Sequence, residues 1–233
     1  MRNREIEIKI KLANVQATRR RLLELGFRLS HRRTLEDNTL FDTPDRSLRK
    51  DRSILRLRRY GPRWMVTYKG TPAEDSFYKS RVELETPVEK PQSIRAIFDA
   101  LGFRPVFRYQ KYRSRFVPSG TTERRAPTRE VALDETPIGN FLELEGSRAW
   151  IDDVARQLGY SRNDYSTASY GALYLEECHK RNIPPGDMLF ASRSRRRSPD
   201  ADTPHRAKSS RGALRSVEDL ERAHLSMPGP LEQ

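Results

Sequence analysis

Residues 5 to 12 read Glu-Ile-Glu-Ile-Lys-Ile-Lys-Leu, so Glu5, Glu7, Lys9 and Lys11 fall on one side of an extended chain and Ile6, Ile8, Ile10 and Leu12 on the other. The ionic alternation returns six times. Arg56 and Arg58 alternate with Leu55 and Leu57, Thr67 and Lys69 with Val66 and Tyr68, and Arg81, Glu83 and Glu85 with Val82 and Leu84. Lys111, Arg113 and Arg115 then alternate with Tyr112 and Phe116, Glu130 and Asp134 with Val131 and Leu133, and Glu143 and Glu145 with Leu142 and Leu144. Carboxylates at this spacing suit a hard divalent cation such as Mg2+ or Mn2+, which takes oxygen ligands and retains waters. Lysines and arginines suit phosphate oxygens, arginine gripping two at once. Acids and bases gathered in one cavity are what a divalent metal carrying a polyphosphate requires.

These stretches must be strands, because only a period of two separates the charges from the apolar side chains so completely. With a further strand at about 28 to 41 they number about eight. An ordinary antiparallel sheet also alternates, with its polar face in water. Here the polar positions favour like-charge doublets, Glu-x-Glu and Arg-x-Arg, where a merely solvated face would mix Thr, Ser, Gln and Lys. A closed antiparallel β-barrel accounts for both features if the charges line its interior and helices cover its apolar outside, an α+β arrangement. Burying the charges dry would cost several kcal/mol per ion, so the interior must hold water, metal or a polyanion. Two Leu-Gly-Phe-Arg segments, at residues 25–28 and 101–104, each close a helix-period stretch (14 to 25 and 91 to 101) with glycine just past its end and lead into a strand. They suggest two related halves, each with a strand, a crossing helix and a return strand.

The chain has 233 residues, 35% hydrophobic and 33% charged, with a formal net charge of +13, which suits a polyanionic partner. The single cysteine, Cys178, excludes an intramolecular disulfide and a CxxC metal knuckle, fits a reducing compartment, and is expected to be an inert thiol near a helix end. The N-terminus carries no signal-like apolar run, and no stretch of about 18 apolar residues could span a membrane, so a cytoplasmic protein is expected. No Gly-x-x-x-x-Gly-Lys loop occurs, which excludes a P-loop. Residues 1–178 read as one domain. Residues 179–233, rich in Arg, Ser and Pro, read as a basic disordered tail able to contact polyanions, with a weak helical pattern at about 214–225. His31 is expected at the surface, and Trp64 and Trp150 in the core.

In this order the motifs resemble the CYTH superfamily, the triphosphate tunnel metalloenzymes, over residues 3 to 175. The resemblance rests on Glu5-Ile-Glu7-Ile-Lys9, Leu55-Arg56-Leu57-Arg58, Thr67-Tyr68-Lys69-Gly70, Arg81-Val-Glu83-Leu-Glu85, Lys111-Tyr-Arg113, Leu133-Asp134 and Gly139-Asn-Phe141-Leu-Glu143-Leu-Glu145. It implies an eight-stranded tunnel with helices outside. Glu5, Glu7, Asp134, Glu143 and Glu145 would face Mg2+ or Mn2+, and Lys9, Arg56, Arg58, Lys69 and Arg113 would grip the phosphates. Lys11, Arg81, Glu83, Glu85 and Lys111 would line the tunnel in secondary roles, with Glu5, Glu7 and Lys9 at the centre of catalysis. Many relatives carry a lysine before a Ser-Tyr pair, whereas this chain has Ala168 before Ser169-Tyr170, so that contact is absent or comes from Arg162 or Arg115. The loop Phe41-Asp42-Thr43-Pro44-Asp45-Arg46 resembles a mobile loop of both family branches.

The activity so implied is metal-dependent hydrolysis of an inorganic or organic triphosphate. A class IV adenylyl cyclase shares nearly the whole site, and a non-catalytic binder of polyphosphate or nucleic acid is the reading from a different class. Exposed apolar strand faces would suit a homodimer.

Overall fold

The period-two stretches all become strands in the computed structural model of the chain, which describes residues 4–75, 77–120 and 129–191. In chain order these are β1 (Arg4–Leu12), α1 (Val15–Glu24), β2 (Phe27–Asp42), α2 (Ser47–Lys50), β3 (Ile54–Tyr60), β4 (Arg63–Lys69) and β5 (Lys79–Val88). There follow α3 (Pro91–Ala100), β6 (Arg104–Pro118), β7 (Glu130–Thr136), β8 (Gly139–Glu145), α4 (Arg148–Gln157) and α5 (Tyr170–Arg181). The strands close into a barrel in the order β1-β5-β4-β3-β2-β6-β7-β8, every pairing antiparallel. The expected α+β fold, a closed eight-stranded antiparallel barrel with helices outside, is the one observed.

The repeated Leu-Gly-Phe-Arg marks a real duplication of topology. Exchanging β1 with β5, β2 with β6, β3 with β7 and β4 with β8 maps the β1–β5 and β2–β6 ladders onto themselves and each other ladder of the barrel onto another, so each half is a strand, a crossing helix and a three-strand meander. Gly26 and Gly102, one residue past the helix caps, both take left-handed backbone (φ +82° and +86°), which a side chain would strain. The long return strands β2 and β6 pair with each other along most of their length, with irregularities between Leu29 and His31, His31 and Thr34, and Leu40 and Phe41.

The apolar faces turn outward, as the alternation requires. Ile8, Ile10, Val131, Leu133, Leu142 and Leu144 pack beneath Leu22 of α1 and Ile151, Val154 and Ala155 of α4, and Trp150 and Phe27 join at the margin. Phe98 of α3 covers Phe41 and Leu57, with Trp64 beside them. Both tryptophans therefore serve in packing, Cys178 is buried, and His31 is exposed. After β2, the Asp42 carboxylate accepts the backbone N–H groups of Thr43, Leu48 and Arg49, which folds the loop to β3 into a tight turn around α2.

The chain past residue 178 departs from the expected boundary. Helix α5 runs on to Arg181, and residues 182–191 lie along β6: the Met188 N–H donates to the Arg108 carbonyl, and the Gln110 N–H donates to the Met188 carbonyl. β7 pairs with β6 only from Tyr112 to Phe116, so Met188 bonds to β6 beyond the end of that ladder. Met188, Tyr109, Phe141 and Tyr170 form a buried cluster in which aromatic rings stack tilted or edge-on. The tail beyond residue 191, its expected disorder and its weak helix lie outside the described residues. Among the described residues no helix is long and apolar enough to cross a membrane.

A candidate polyanion and metal site in the barrel lumen

Inside the barrel, many of the charged positions meet opposite charges on the next strand, although Arg56 and Arg58 of β3 face Thr67 and Met65. In register, Glu5 faces Arg81, Glu7 faces Lys79, Lys9 faces Glu143, Lys69 faces Glu83, Glu36 faces Lys111 and Arg113 faces Asp134. Lys9 Nζ lies 3.3 Å from Glu7 and 3.3 Å from Glu143, and Lys69 Nζ lies 2.6 Å from Glu5 and 3.0 Å from Glu83. Arg58 is 2.6 Å from Glu85, while Arg56 bonds to Thr67 and to the Tyr109 hydroxyl. Most of these side chains are buried, Glu36, Thr67 and Asp134 at 0% and Lys111 at 2% exposure being the deepest. Pairing of this kind is what permits the burial, because a lone charge here would cost several kcal/mol.

In one region of the lumen four cations surround one acid. Glu36, fully buried, has Lys111, Arg58, Arg115 and Arg113 at 3.6, 3.8, 3.8 and 3.9 Å. Burial acts to raise its pKa, but Lys111, Arg113, Arg58 and Arg115 together outweigh burial and hold the carboxyl well below the usual range. Neither oxygen of Glu36 accepts a hydrogen bond from a described residue, and the amide of Asn38 and the Nε atoms of Arg56, Arg58, Arg81 and Arg115 are likewise unbonded. Buried polar atoms left in this state call for a ligand or water.

The opposite-sign ladder fails along one row. Glu145 faces Glu130 on one side and Glu7 on the other. Burial first, then Glu130, push the Glu145 carboxyl up to about 7. Glu5 is pushed up to about 8, by burial first and then by Glu7, even though Lys69 touches it; one ammonium is shared between Glu5 and Glu83 and cannot neutralise both. Glu7 and Glu143 move the other way: the lysines around Glu7, and Arg113, Lys111 and Lys9 around Glu143, overcome the burial penalty and keep both well below the usual carboxylate range. Lys79 is lowered to about 7, by burial and then by Lys9. Among the described residues no three Asp, Glu, His or Cys side chains stand as a ready metal cage. The donor chemistry nevertheless fits a hard divalent cation, since Glu5, Glu7, Glu130 and Glu145 crowd negative charge that a cation would relieve.

The structure brings Glu5, Glu7, Lys9, Arg56, Arg58, Lys69, Arg81, Lys111, Arg113, Asp134, Glu143 and Glu145 into one lumen, with Glu83 and Glu85 toward its exposed side. Asp134, expected on the metal side, here accepts from Lys111, from both Nε and Nη2 of Arg113 and from the Tyr170 hydroxyl, at 2.6–2.9 Å. Lys11 shares the inward parity of β1 but lies at its end, exposed, opposite Phe141. Arg162 is on the outside, bound to Asp152 at 2.6 Å, so of the two residues considered in place of a lysine at Ala168 only Arg115 faces the lumen. The residues missed are Glu36, Asn38, Lys79 and Tyr170. Lys79 continues the parity of Arg81 and Glu83 by one step, a signal that was present. Glu36 and Asn38 flank Asp37 in an all-polar run, which conceals which of them point inward.

The family model described as the CYTH domain matches residues 3–170. A Methanocaldococcus jannaschii protein provisionally named an adenylate cyclase is 33% identical over 155 residues, covering 66% of this chain and 83% of that protein. Among solved structures, a Vibrio parahaemolyticus protein, also provisionally named an adenylate cyclase, superposes with a TM-score of 0.63 at 21% identity, covering 73% of this chain and 97% of that one. A Hippeastrum protein, described as a provisional adenylyl cyclase with a dominant triphosphatase activity, superposes at 0.50 with 19% identity over 78% of this chain and 97% of that one.

Proposed function

Starting from the fact that this chain belongs to the CYTH family, we propose that it is a divalent-metal-dependent triphosphatase whose substrate, an inorganic or organic triphosphate, binds inside the barrel. The observation that carries the reading is the division of one lumen into a crowded acid row, Glu130-Glu145-Glu7 with Glu5 beside it, and a cation-lined interior with unbonded guanidinium atoms. Lys9, Arg56, Arg58, Lys69, Lys111 and Arg113 take the phosphate oxygens, exchanging part of their contact with lumen carboxylates for contact with substrate. Because these cations sit on strands and are buried, they are preorganised and stabilise charge as it develops on the phosphoryl oxygens. Glu5, Glu7 and Glu145 hold the cation, Mg2+ or Mn2+; Asp134 and Glu143 aim Lys111, Arg113 and Lys9. A bound divalent cation supplies neutralisation of phosphoryl charge and a water of lowered pKa.

Incubation with tripolyphosphate and Mg2+ or Mn2+ is expected to release orthophosphate, and Glu7→Gln to abolish release. A folded wild-type protein that releases phosphate from no triphosphate would end this reading. The names of the Methanocaldococcus jannaschii and Vibrio parahaemolyticus proteins favour the cyclase as the second reading. Cyclic AMP and pyrophosphate from ATP, in place of orthophosphate, would establish it. The Hippeastrum protein, with its described dominant triphosphatase activity, is why hydrolysis is placed first.

A further inference from the structure

We propose that Glu36 sets the phosphate affinity of the lumen, a built-in anion that competes with the substrate's phosphates for the lumen cations and keeps their grip loose enough for product to leave. The inference rests on the triphosphate reading of the lumen. Glu36 has no clamping contact to make: its oxygens lie 3.6–3.9 Å from four cations, beyond hydrogen-bond reach, and are unbonded. Each of those cations has a closer acid elsewhere, Lys111 at 2.9 Å and Arg113 at 2.6 Å from Asp134, Arg58 at 2.6 Å from Glu85 and Arg115 at 3.5 Å from Glu130. Glu36 therefore acts through its field. Fully buried and fixed on β2, it lowers the positive potential in the middle of the ring, where a phosphoryl group binding those cations would meet it.

The test is calorimetric binding of tripolyphosphate and of pyrophosphate in EDTA, where no metal-dependent turnover occurs, followed by steady-state kinetics with Mg2+. Glu36→Gln is expected to bind both anions at least about tenfold more tightly than wild type. With Mg2+ it is expected to show a lower KM, a lower kcat and stronger inhibition by orthophosphate, a split that a purely structural defect would not produce. If Glu36→Gln does not fold, Arg115→Gln is compared with Glu36→Gln/Arg115→Gln, where neutralising the acid is expected to restore the affinity that losing the arginine removes. Folded Glu36→Gln with unchanged or weaker anion affinity overturns the inference, as does a double variant no tighter than Arg115→Gln alone. Wild-type protein that binds neither anion would instead overturn the triphosphate reading itself.

Discussion

Asp134 and Glu5 are both lumen carboxylates, yet their surroundings differ, and neutralising each in metal-free protein separates the two. Asp134, at 0% exposure, accepts four hydrogen bonds, from Lys111, twice from Arg113 and from Tyr170. Asp134→Asn leaves two buried cations short of their counter-ion, and removing one partner of a buried pair costs about 3–5 kcal/mol. For a domain of this size each kcal/mol moves Tm by roughly 2–4 °C, so a fall of about 6–20 °C is expected. Glu5, in contrast, has its carboxyl pushed up to about 8 by burial and then by Glu7, so the folded protein favours its neutral form and the amide of Glu5→Gln removes little stabilisation. Its unfolding in EDTA at pH 7 is expected to stay within about 1 kcal/mol of wild type, the centre of the range for single substitutions. Calorimetric scans of the three proteins in EDTA make the comparison. If Asp134→Asn unfolds within about 2 °C of wild type, corresponding to less than about 1 kcal/mol, the ion clamp drawn here is wrong and Asp134 belongs with the metal-side acids.

Divalent metal and protons should compete in the acid row: Glu5 and Glu145, pushed up to about 8 and about 7, must lose their protons to bind Mg2+, so affinity is expected to rise from pH 6 to pH 8 with proton release. Calorimetry in buffers of different ionisation enthalpy measures this, and pH-independent affinity would contradict it. Acid should have the opposite consequence through Glu7, Glu36 and Glu143, whose folded pKa values lie below the unfolded ones: their contribution is complete above about pH 4.5 and is lost as pH falls toward the folded values. Urea denaturation at pH 6 and pH 3 is expected to show a loss of several kcal/mol, and equal midpoints would refute the depression. Met188→Ala is expected to cost about 2–5 kcal/mol and to alter the near-ultraviolet signal of the Tyr109, Phe141 and Tyr170 cluster; an unchanged midpoint would mean that residues 182–191 are not seated on β6.

Where the pattern is strict, the sequence states the structure directly. β1, β3, β4, β5, β7 and β8 alternate regularly apart from such apolar residues as Met65, Ala132 and Phe141 at inward positions, and each was legible together with the side its charges face. β2 was legible only as a strand, because two irregularities against β6 break its period between Leu29 and Thr34 and the run Glu36-Asp37-Asn38 has no apolar residue to mark the outer face. That is why Glu36 went unseen while Lys111 and Arg113, its partners on β6, did not. The different surroundings of Asp134 and Glu145 were not separable from sequence either, since both are acids on adjacent strands of one hairpin. What separates them is a register that places Arg113 opposite the first and two glutamates opposite the second. Residues 182–191 read as tail because Pro184-Pro185-Gly186 governs their composition; the apolar Met188-Leu189-Phe190 that follows has meaning only once β6 is known to outrun β7.

The register of β8 on β1 also shows that charge pairing does not dictate the lumen. In the observed alignment Glu145 meets Glu7 and Glu143 meets Lys9. A slip of two residues would keep every apolar side chain on the outer face and place Glu145 opposite Lys9 and Glu143 opposite Lys11, so that both acids meet bases. In the metal-free chain the slipped arrangement has the better electrostatics, because like charges directly opposite are unfavourable. The observed one is held by other forces: Ile8, Ile10, Leu142 and Leu144, all at 0–1% exposure, are fitted beneath α1 and α4, and the turn at Gly139 (φ +128°) fixes β8 against β7. The packing thus sustains an acid row that the charges alone would dissolve. A divalent cation drawn to the row reverses the sign of that conflict, so metal binding and the register support one another.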